Sequence, residues 1–336
     1  MNTPLPQGGS ARGATLEDLP AVVELVNARS RRLLGVEVAS LQRLREVWDL
    51  PGFDPAHDAR LVFDADEQLV GAAYVWDLSG VNVQLICDSA VHPDCAVPGT
   101  WDALLSWAET RAREAIPLAP PDAQVAFAHS AWENDTALNA ALARRGLEVV
   151  RHFWRMVIEM EAPPPAPNWP DGIAVRTFDR ERDFRNTVIA LRDAFQDHWA
   201  HVEEPLEREL ARRRQKIEND PEFDPTLWFL AVDGEEIAAC ALCHEHDQGD
   251  PDAGYVGVIG VRRPWRRRGL GLALLRHAFG EFHRRGTRKA ALDVDASSLT
   301  GATRLYERAG MRVDRLTHIY AKELRPGRDL STQTVD

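Results

Sequence analysis

Val261-Arg262-Arg263-Pro264-Trp265-Arg266-Arg267-Arg268-Gly269-Leu270-Gly271-Leu272-Ala273 stands between two apolar runs of different character. The run before it, Tyr255-Val256-Gly257-Val258-Ile259-Gly260-Val261, is short and β-branched, as a strand is. The run after it, Leu272-Ala273-Leu274-Leu275 with Ala278, Phe279 and Phe282, is leucine-rich and helical. The glycines therefore sit where a strand turns into a helix. Free backbone N–H groups and the positive end of a helix dipole meet at such a point. Gly269 and Gly271 carry no Cβ, so an anion can approach the main chain, and Arg266, Arg267 and Arg268 add charge beside it. The stretch predicts a phosphate cradle.

Spacing narrows the choice of phosphate. A dinucleotide fingerprint needs a third glycine where Leu274 stands, and a P-loop needs a Lys followed by Ser or Thr, which is absent. Arg266-x-x-Gly269-x-Gly271 after a strand ending in valine resembles the pyrophosphate loop of the GCN5-related N-acetyltransferases, in which the loop wraps the diphosphate of acetyl-coenzyme A. A second element follows at the family's distance. Asp295-Ala296-Ser297-Ser298-Leu299-Thr300-Gly301-Ala302-Thr303-Arg304-Leu305-Tyr306-Glu307-Arg308-Ala309-Gly310 reads as a short helix, capped by Ser297 or Ser298 and closed at Gly310. It is similar to the family's final helix, whose tyrosine protonates the departing thiolate. Ser298 stands where many members have asparagine. Residues 290–294 before it read as a strand, and residues 317–322 after it alternate like a closing strand.

A chain of 336 residues suits two domains, and 44% apolar with 27% charged residues describes a globular protein. A net charge of -12 argues against nucleic acid as a partner. No signal core or membrane-length run is evident, so no membrane partner and a cytoplasmic location are expected. Cys240-Ala241-Leu242-Cys243-His244 matches the spacing of covalent haem attachment. It lies in a strand-like run, however, where residues three apart point to opposite faces, so neither haem nor a metal is expected.

The proline-rich segment 162–171 reads as a stiff linker between residues 11–161 and 172–325, with a polar, disordered tail expected at 326–336. Each half opens with a short strand and a helix (residues 16–25 and 180–195). Each then offers a hairpin: residues 60–63 with 69–76, and 227–232 with 237–243. Residues 91–105 align without gaps on 261–275, bringing Gly99 onto Gly269, while Trp101 replaces Gly271, Pro98 replaces Arg268 and Ala96 replaces Arg266. Farther on, Leu142 falls where Tyr306 stands. The chain is an internal duplication. Its first half keeps the fold signals and loses the chemistry. The layout is similar to the tandem, mycothiol synthase-like members of the family. That resemblance implies two α/β domains, each a twisted mixed sheet flanked by helices.

The same resemblance assigns roles in the second half. The main chain at Ile259, Gly260 and Val261 faces the pantetheine arm, and the loop from Arg266 through Leu270 to Gly271 holds the diphosphate. Tyr306 is the general acid. Tyr255, where the related proteins place a glutamate, and Glu245 are candidate bases or water relays, with His244 close by. Asp197, His198 and His201 fall in the region that covers the acceptor. The implied activity is acetyl transfer from acetyl-coenzyme A to a small-molecule amine, by a monomer or homodimer. A different acyl group, a protein amine, or a non-catalytic acyl-coenzyme A sensor are the alternatives.

Overall fold

The computed structural model describes residues 8–94, 99–196, 204–220, 222–247, 249–297 and 302–330. Its strands are β1 (Ser10–Gly13), β2 (Ala59–Phe63), β3 (Leu69–Asp77), β4 (Gln84–Val91), β5 (Val125–Trp132), β6 (Glu148–Glu159), β7 (Ile173–Thr177), β8 (Trp228–Asp233), β9 (Glu236–His244), β10 (Ala253–Val261), β11 (Lys289–Asp295) and β12 (Arg312–Arg325). Its helices are α1 (Leu19–Leu34), α2 (Leu41–Trp48), α3 (Pro55–Asp58), α4 (Thr100–Glu114), α5 (Thr136–Arg144), α6 (Arg180–Phe195), α7 (Leu206–Asn219), α8 (Leu270–Arg284) and α9 (Ala302–Arg308). They form two compact units. One comprises Met1–Arg151 with Thr317–Leu330, and the other comprises His152–Leu316.

Within each unit the sheet repeats one plan. The first runs β1-β2-β3-β4-β5-β12 and the second β7-β8-β9-β10-β11-β6. Neighbouring strands in the first are antiparallel except β4 beside β5. Neighbours in the second are antiparallel except β10 beside β11. The mixed α/β architecture and the duplication expected from the sequence are both present.

Period-two alternation builds the second unit's core on both faces of its sheet. Phe229, Ala241 and Cys243 face α8, where Leu274, Phe279 and Phe282 complete one cluster. Leu230, Cys240 and Leu242 face α6, where Ala190 and Leu191 complete another. Cys240 and Cys243 thus lie on opposite sides of the sheet, as their spacing implied.

The spatial division departs from the contiguous halves by one strand in each. The sequence places residues 317–322 as the closing strand of the second half. Instead, Thr317 through Lys322 pair with Trp132 through Phe127 of β5 in the first unit. Residues 153–159, from the end of the first half, pair with β11 in the second. Alternation identifies a strand without naming its neighbour, and partners here lie far apart in the chain. Side chains fasten the exchange. Lys322 Nζ donates to Glu109 Oε1 and to the Arg145 carbonyl, both at 3.0 Å, and Arg325 donates to the Ala123 carbonyl. The described part of the expected disordered tail, residues 326–330, is instead held by main-chain bonds at Arg328. Arg328 N–H donates to the Asp122 carbonyl and its own carbonyl accepts from Gln124, while residues 331–336 lie outside the described set. The linker contains no helix or strand from 162 to 170, and its Trp169 packs edge-on against His277 of α8.

Loss of β12 uncovers the Val125–Trp132 edge and the α4 contacts beneath it. Each fully exposed large apolar side chain costs about 1.5–3 kcal/mol, against a typical stability of about 5–15 kcal/mol for a domain. A chain cut to residues 1–161 is therefore expected to show no cooperative thermal transition by circular dichroism. A sharp melt of that fragment would show that the exchanged strand is dispensable.

Candidate active site

The cradle is built by backbone conformation. After β10, a single 3₁₀ turn at Arg263–Trp265 is followed by Arg267 at φ +61° and Gly269 at φ +89°. Gly269 is the N-cap of α8, and no side chain of the described residues caps the helix, so its first N–H groups can bond an incoming acceptor. A Cβ at Gly269 would meet nothing within 4 Å. Glycine is required there by φ, not by space. Arg267 takes the left-handed region without that freedom, at a cost of about 1–2 kcal/mol, and so contributes local strain at the loop.

The three arginines divide their work. Arg267 and Arg268 are exposed beside the cradle. Arg266 turns inward, its Nε donating to the Val261 carbonyl at 3.1 Å and its Nη2 to the Ala194 carbonyl at 3.0 Å. It braces the end of β10 against the end of α6. Arg262 adds a second brace through Asp193 at 2.7 Å, and Trp265 Nε1 donates to Asp233 at 2.8 Å.

Gly271 has a structural reason that the sequence did not reveal. A Cβ there would fall 2.8 Å from Leu305 Cδ2, so the missing side chain lets α9 pack onto α8 one residue before Tyr306. Gly260 likewise admits Ala194 and Phe195, each 3.0 Å from its would-be Cβ.

Below the cradle the sheet opens. β10 pairs with β11 only at Ala253–Lys289, Gly254–Ala290 and Tyr255–Ala291. On its other edge it stays paired with β9 as far as Val261–Ala239, with a bulge between Val256 and Val258. Among the described residues, the main chain of residues 256–260 has no strand partner on its β11 side, a geometry that can accept an extended chain as an added strand. Ile259 and Val261 turn their side chains to the α8 side. Tyr306 sits in the same cluster, and burial pushes its phenol up to about 12. It is a protonated donor at neutral pH.

The profile of the Acetyltransferase (GNAT) family matches residues 188–311, which include the cradle, the parted strands and α9. A mycothiol acetyltransferase of Thermobispora bispora is 31% identical over 253 residues, covering 74% of this chain and 78% of that one. The solved GCN5-related N-acetyltransferase from Sphaerobacter thermophilus is 38% identical, with a TM-score of 0.80 over 98% of this chain and all of that one. The chain belongs to the GNAT family of N-acetyltransferases. A tandem GNAT protein from the clavulanic acid pathway shares the fold at 14% identity, with a TM-score of 0.72 over 95% of this chain and 100% of that one.

The remaining sequence candidates fall into separate places. Tyr255 donates its hydroxyl to Asp293 Oδ2 at 3.0 Å on the sheet face toward α6. Glu245 is drawn the other way, 3.7 Å from Arg285 at the C-terminal end of α8. Asp197, His198, His201 and Ser298 lie outside the described residues. Sequence reasoning missed Arg155, which bonds Asp293 at 3.3 Å and pairs with Asp247. It comes from β6, so no motif of the second half could point to it. It also missed the bulge, although a glycine inside a strand, here Gly257, is a recognised signal for one.

The first unit repeats the backbone of this GNAT site and fills it differently. Gly99, at φ +91°, is the N-cap of α4, and β4 pairs with β5 only from Gln84 to Cys87. Arg29 of α1 bridges the parted strands. It donates to the Ser89 carbonyl at 3.4 Å, pairs with Asp135, and lies 5.3 Å and 5.0 Å from the rings of Trp101 and Trp132. Alongside, His129 donates from Nδ1 to the Ser130 carbonyl at 2.7 Å and accepts the Ser89 hydroxyl at 2.6 Å. Among the described residues this unit has Leu142 in place of the tyrosine, fully buried. Ala96 and Pro98 lie outside the described set.

Burial holds the His129 imidazole down at about 4, below its usual 6.5. Between these values the unfolded chain takes up a proton that the folded one resists, so stability is present above about 6.5 and falls as pH drops toward about 4. Thermal melts over that window are expected to show this loss, and His129→Gln to flatten it. An unchanged slope in the variant would assign the acid lability elsewhere. Gly271→Ala is expected to destabilise the second unit by about 1–3 kcal/mol through overpacking, with Leu305→Ala offsetting part of that cost in a double-mutant cycle. Strict additivity of the two changes would deny the contact its role.

Proposed function

We propose that the protein transfers an acetyl group from acetyl-coenzyme A to the amine of a small molecule, with its active site in the second unit. The observation that carries this reading is the difference between two copies of one backbone. In the second, a helix N-terminus and a strand edge that are unpartnered among the described residues lie in one unit with a buried protonated phenol. In the first, Arg29, Trp101 and Trp132 already occupy the parting of the strands.

The division of labour follows from charge. The diphosphate takes the N–H groups from Arg267 to Gly271, with Arg267 and Arg268 as counter-charges. The pantetheine arm pairs with β10, which sets the thioester near the bulge. A main-chain N–H there stabilises the oxyanion that forms when the amine attacks. Tyr306 donates its proton to the leaving sulfur. A phenol near 12 stays protonated until the thiolate, a stronger base than water, arrives. The similarity to mycothiol acetyltransferases, named for a small-molecule substrate, supports a small-molecule acceptor.

Calorimetric titration with acetyl-coenzyme A is expected to give one site per chain. Tyr306→Phe should keep the dissociation constant within about twofold while kcat falls about 10²-fold or more. Two sites would restore a coenzyme role to the first unit. Undiminished turnover by the variant would remove Tyr306 from the chemistry.

A further inference from the structure

We infer that the acceptor is a small amino acid-type zwitterion, its ammonium held by Asp293 and its carboxylate by Arg315; the inference rests on the acetyl-transfer reading above. β10 and β11 part after the pair Tyr255–Ala291. Asp293 stands two residues farther along β11, where the other edge of that strand is still paired to Arg155 of β6. At that register it is level with the bulge between Val256 and Val258, across the opening from the strand that would carry the thioester. Its side chain is 45% exposed. The Tyr255 hydroxyl donates to Oδ2 at 3.0 Å, and Arg155 Nη1 donates to the same oxygen at 3.3 Å. Oδ1 takes no hydrogen bond from the described residues. One oxygen is thus fixed and the other presented, an arrangement suited to an ammonium.

Arg155 does not use up the charge of Asp293, because Asp247 pairs with it as well. A further cation beside this group is Arg315 of β12, which belongs to the second unit. Its side chain is 21% exposed, and its ion pair with the neighbouring Asp314 is 4.0 Å long. Its guanidinium makes no hydrogen bond with the described residues, although it carries five N–H donors. Burial lowers its proton affinity and repulsion from Arg155 adds to that, while Asp314, Asp293 and Asp247 oppose the change. Arg315 therefore feels Asp293 without forming an ion pair to it. A largely buried cation with unused donors is costly to keep. A ligand carboxylate fits such a planar fork with two parallel bonds. An amine without a carboxylate would leave the Arg315 donors idle, and an acid without an amine would leave Asp293 idle. A ligand that bears both charges engages the two groups together.

The transfer balances with this acceptor. Its ammonium loses one proton to solvent, and the amine lone pair forms the N–C bond. The C–S bond breaks with its electron pair on sulfur, which takes the Tyr306 proton. The nitrogen's second proton restores Tyr306 through solvent. Amino acid and acetyl-coenzyme A become N-acetyl amino acid, coenzyme A thiol and one proton, and the carboxylate on Arg315 is unchanged.

The test uses the full-length chain with acetyl-coenzyme A and reads free thiol. The acceptors offered are the standard amino acids, their amides, spermidine and glucosamine. At least one amino acid is expected to be consumed. For that amino acid, Arg315→Gln should lower kcat/KM relative to its own amide by about tenfold or more. A merely structural arginine would lower both alike. Arg315→Lys should restore part of the ratio, since it keeps the charge without the fork. Asp293→Asn should raise KM for every amine by about tenfold or more, with acetyl-coenzyme A affinity kept within about twofold. If no amino acid is consumed, or if the ratio survives in Arg315→Gln, the zwitterion assignment is overturned. Binding of acetyl-coenzyme A, or turnover of another amine, then leaves the transferase reading standing. If the wild type neither binds nor consumes acetyl-coenzyme A, that reading fails, and the acceptor assignment falls with it.

Discussion

The ladder between β10 and β11 is three residue pairs long, and the site depends on its brevity. A parallel pair that continued would satisfy both strand edges and leave no room for a ligand chain. β10 instead stays bonded to β9 while β11 stays bonded to β6, so the two strands are held from their outer edges and open between them. The bulge at Gly257 adds local twist at the point of parting. Arg262 and Arg266 then fix the far end of β10 to α6 through Asp193 and the Ala194 carbonyl. With the strand pinned at both ends, the helix that follows can only start at the mouth of the opening. The glycine-headed start of α8 and the open edge of β10 are consequences of one interrupted ladder.

The first unit carries the same backbone with the parting of its strands already filled. The same left-handed glycine opens α4, and the same strands part after Cys87. What differs is occupancy. A guanidinium with a carboxylate partner and two indoles lies at the parted strands of the first unit. Buried in this way, the ion pair must be complete, because either partner alone would be an uncompensated charge.

Local signals were the legible ones. The change of period around Val261, the glycine at 269 and the alignment of Gly99 on Gly269 located the helix starts and the duplication without any neighbour being known. Partner identity was not legible. Residues 317–322 read correctly as a strand and were placed in the wrong unit, and Arg155 was invisible as a site residue for the same reason. Gly271 illustrates a subtler limit. Its missing Cβ was attributed to an approaching phosphate, yet Leu305 comes within 2.8 Å of that position. The side chain that a glycine makes room for is a tertiary fact.

The exchanged strand also has a consequence in time. On the ribosome, β5 emerges about 190 residues before β12, and at roughly 5–20 residues per second it waits many seconds for its neighbour. During that interval the edge of β5 carries unpaired N–H and C=O groups, a known template for association with other chains. The second unit has no such wait, since β6 is made before β11. In a duplicated protein the natural expectation is that the older half of the nascent chain folds first. Here the strand order reverses it: the second unit can close its sheet while the first-made half is still incomplete.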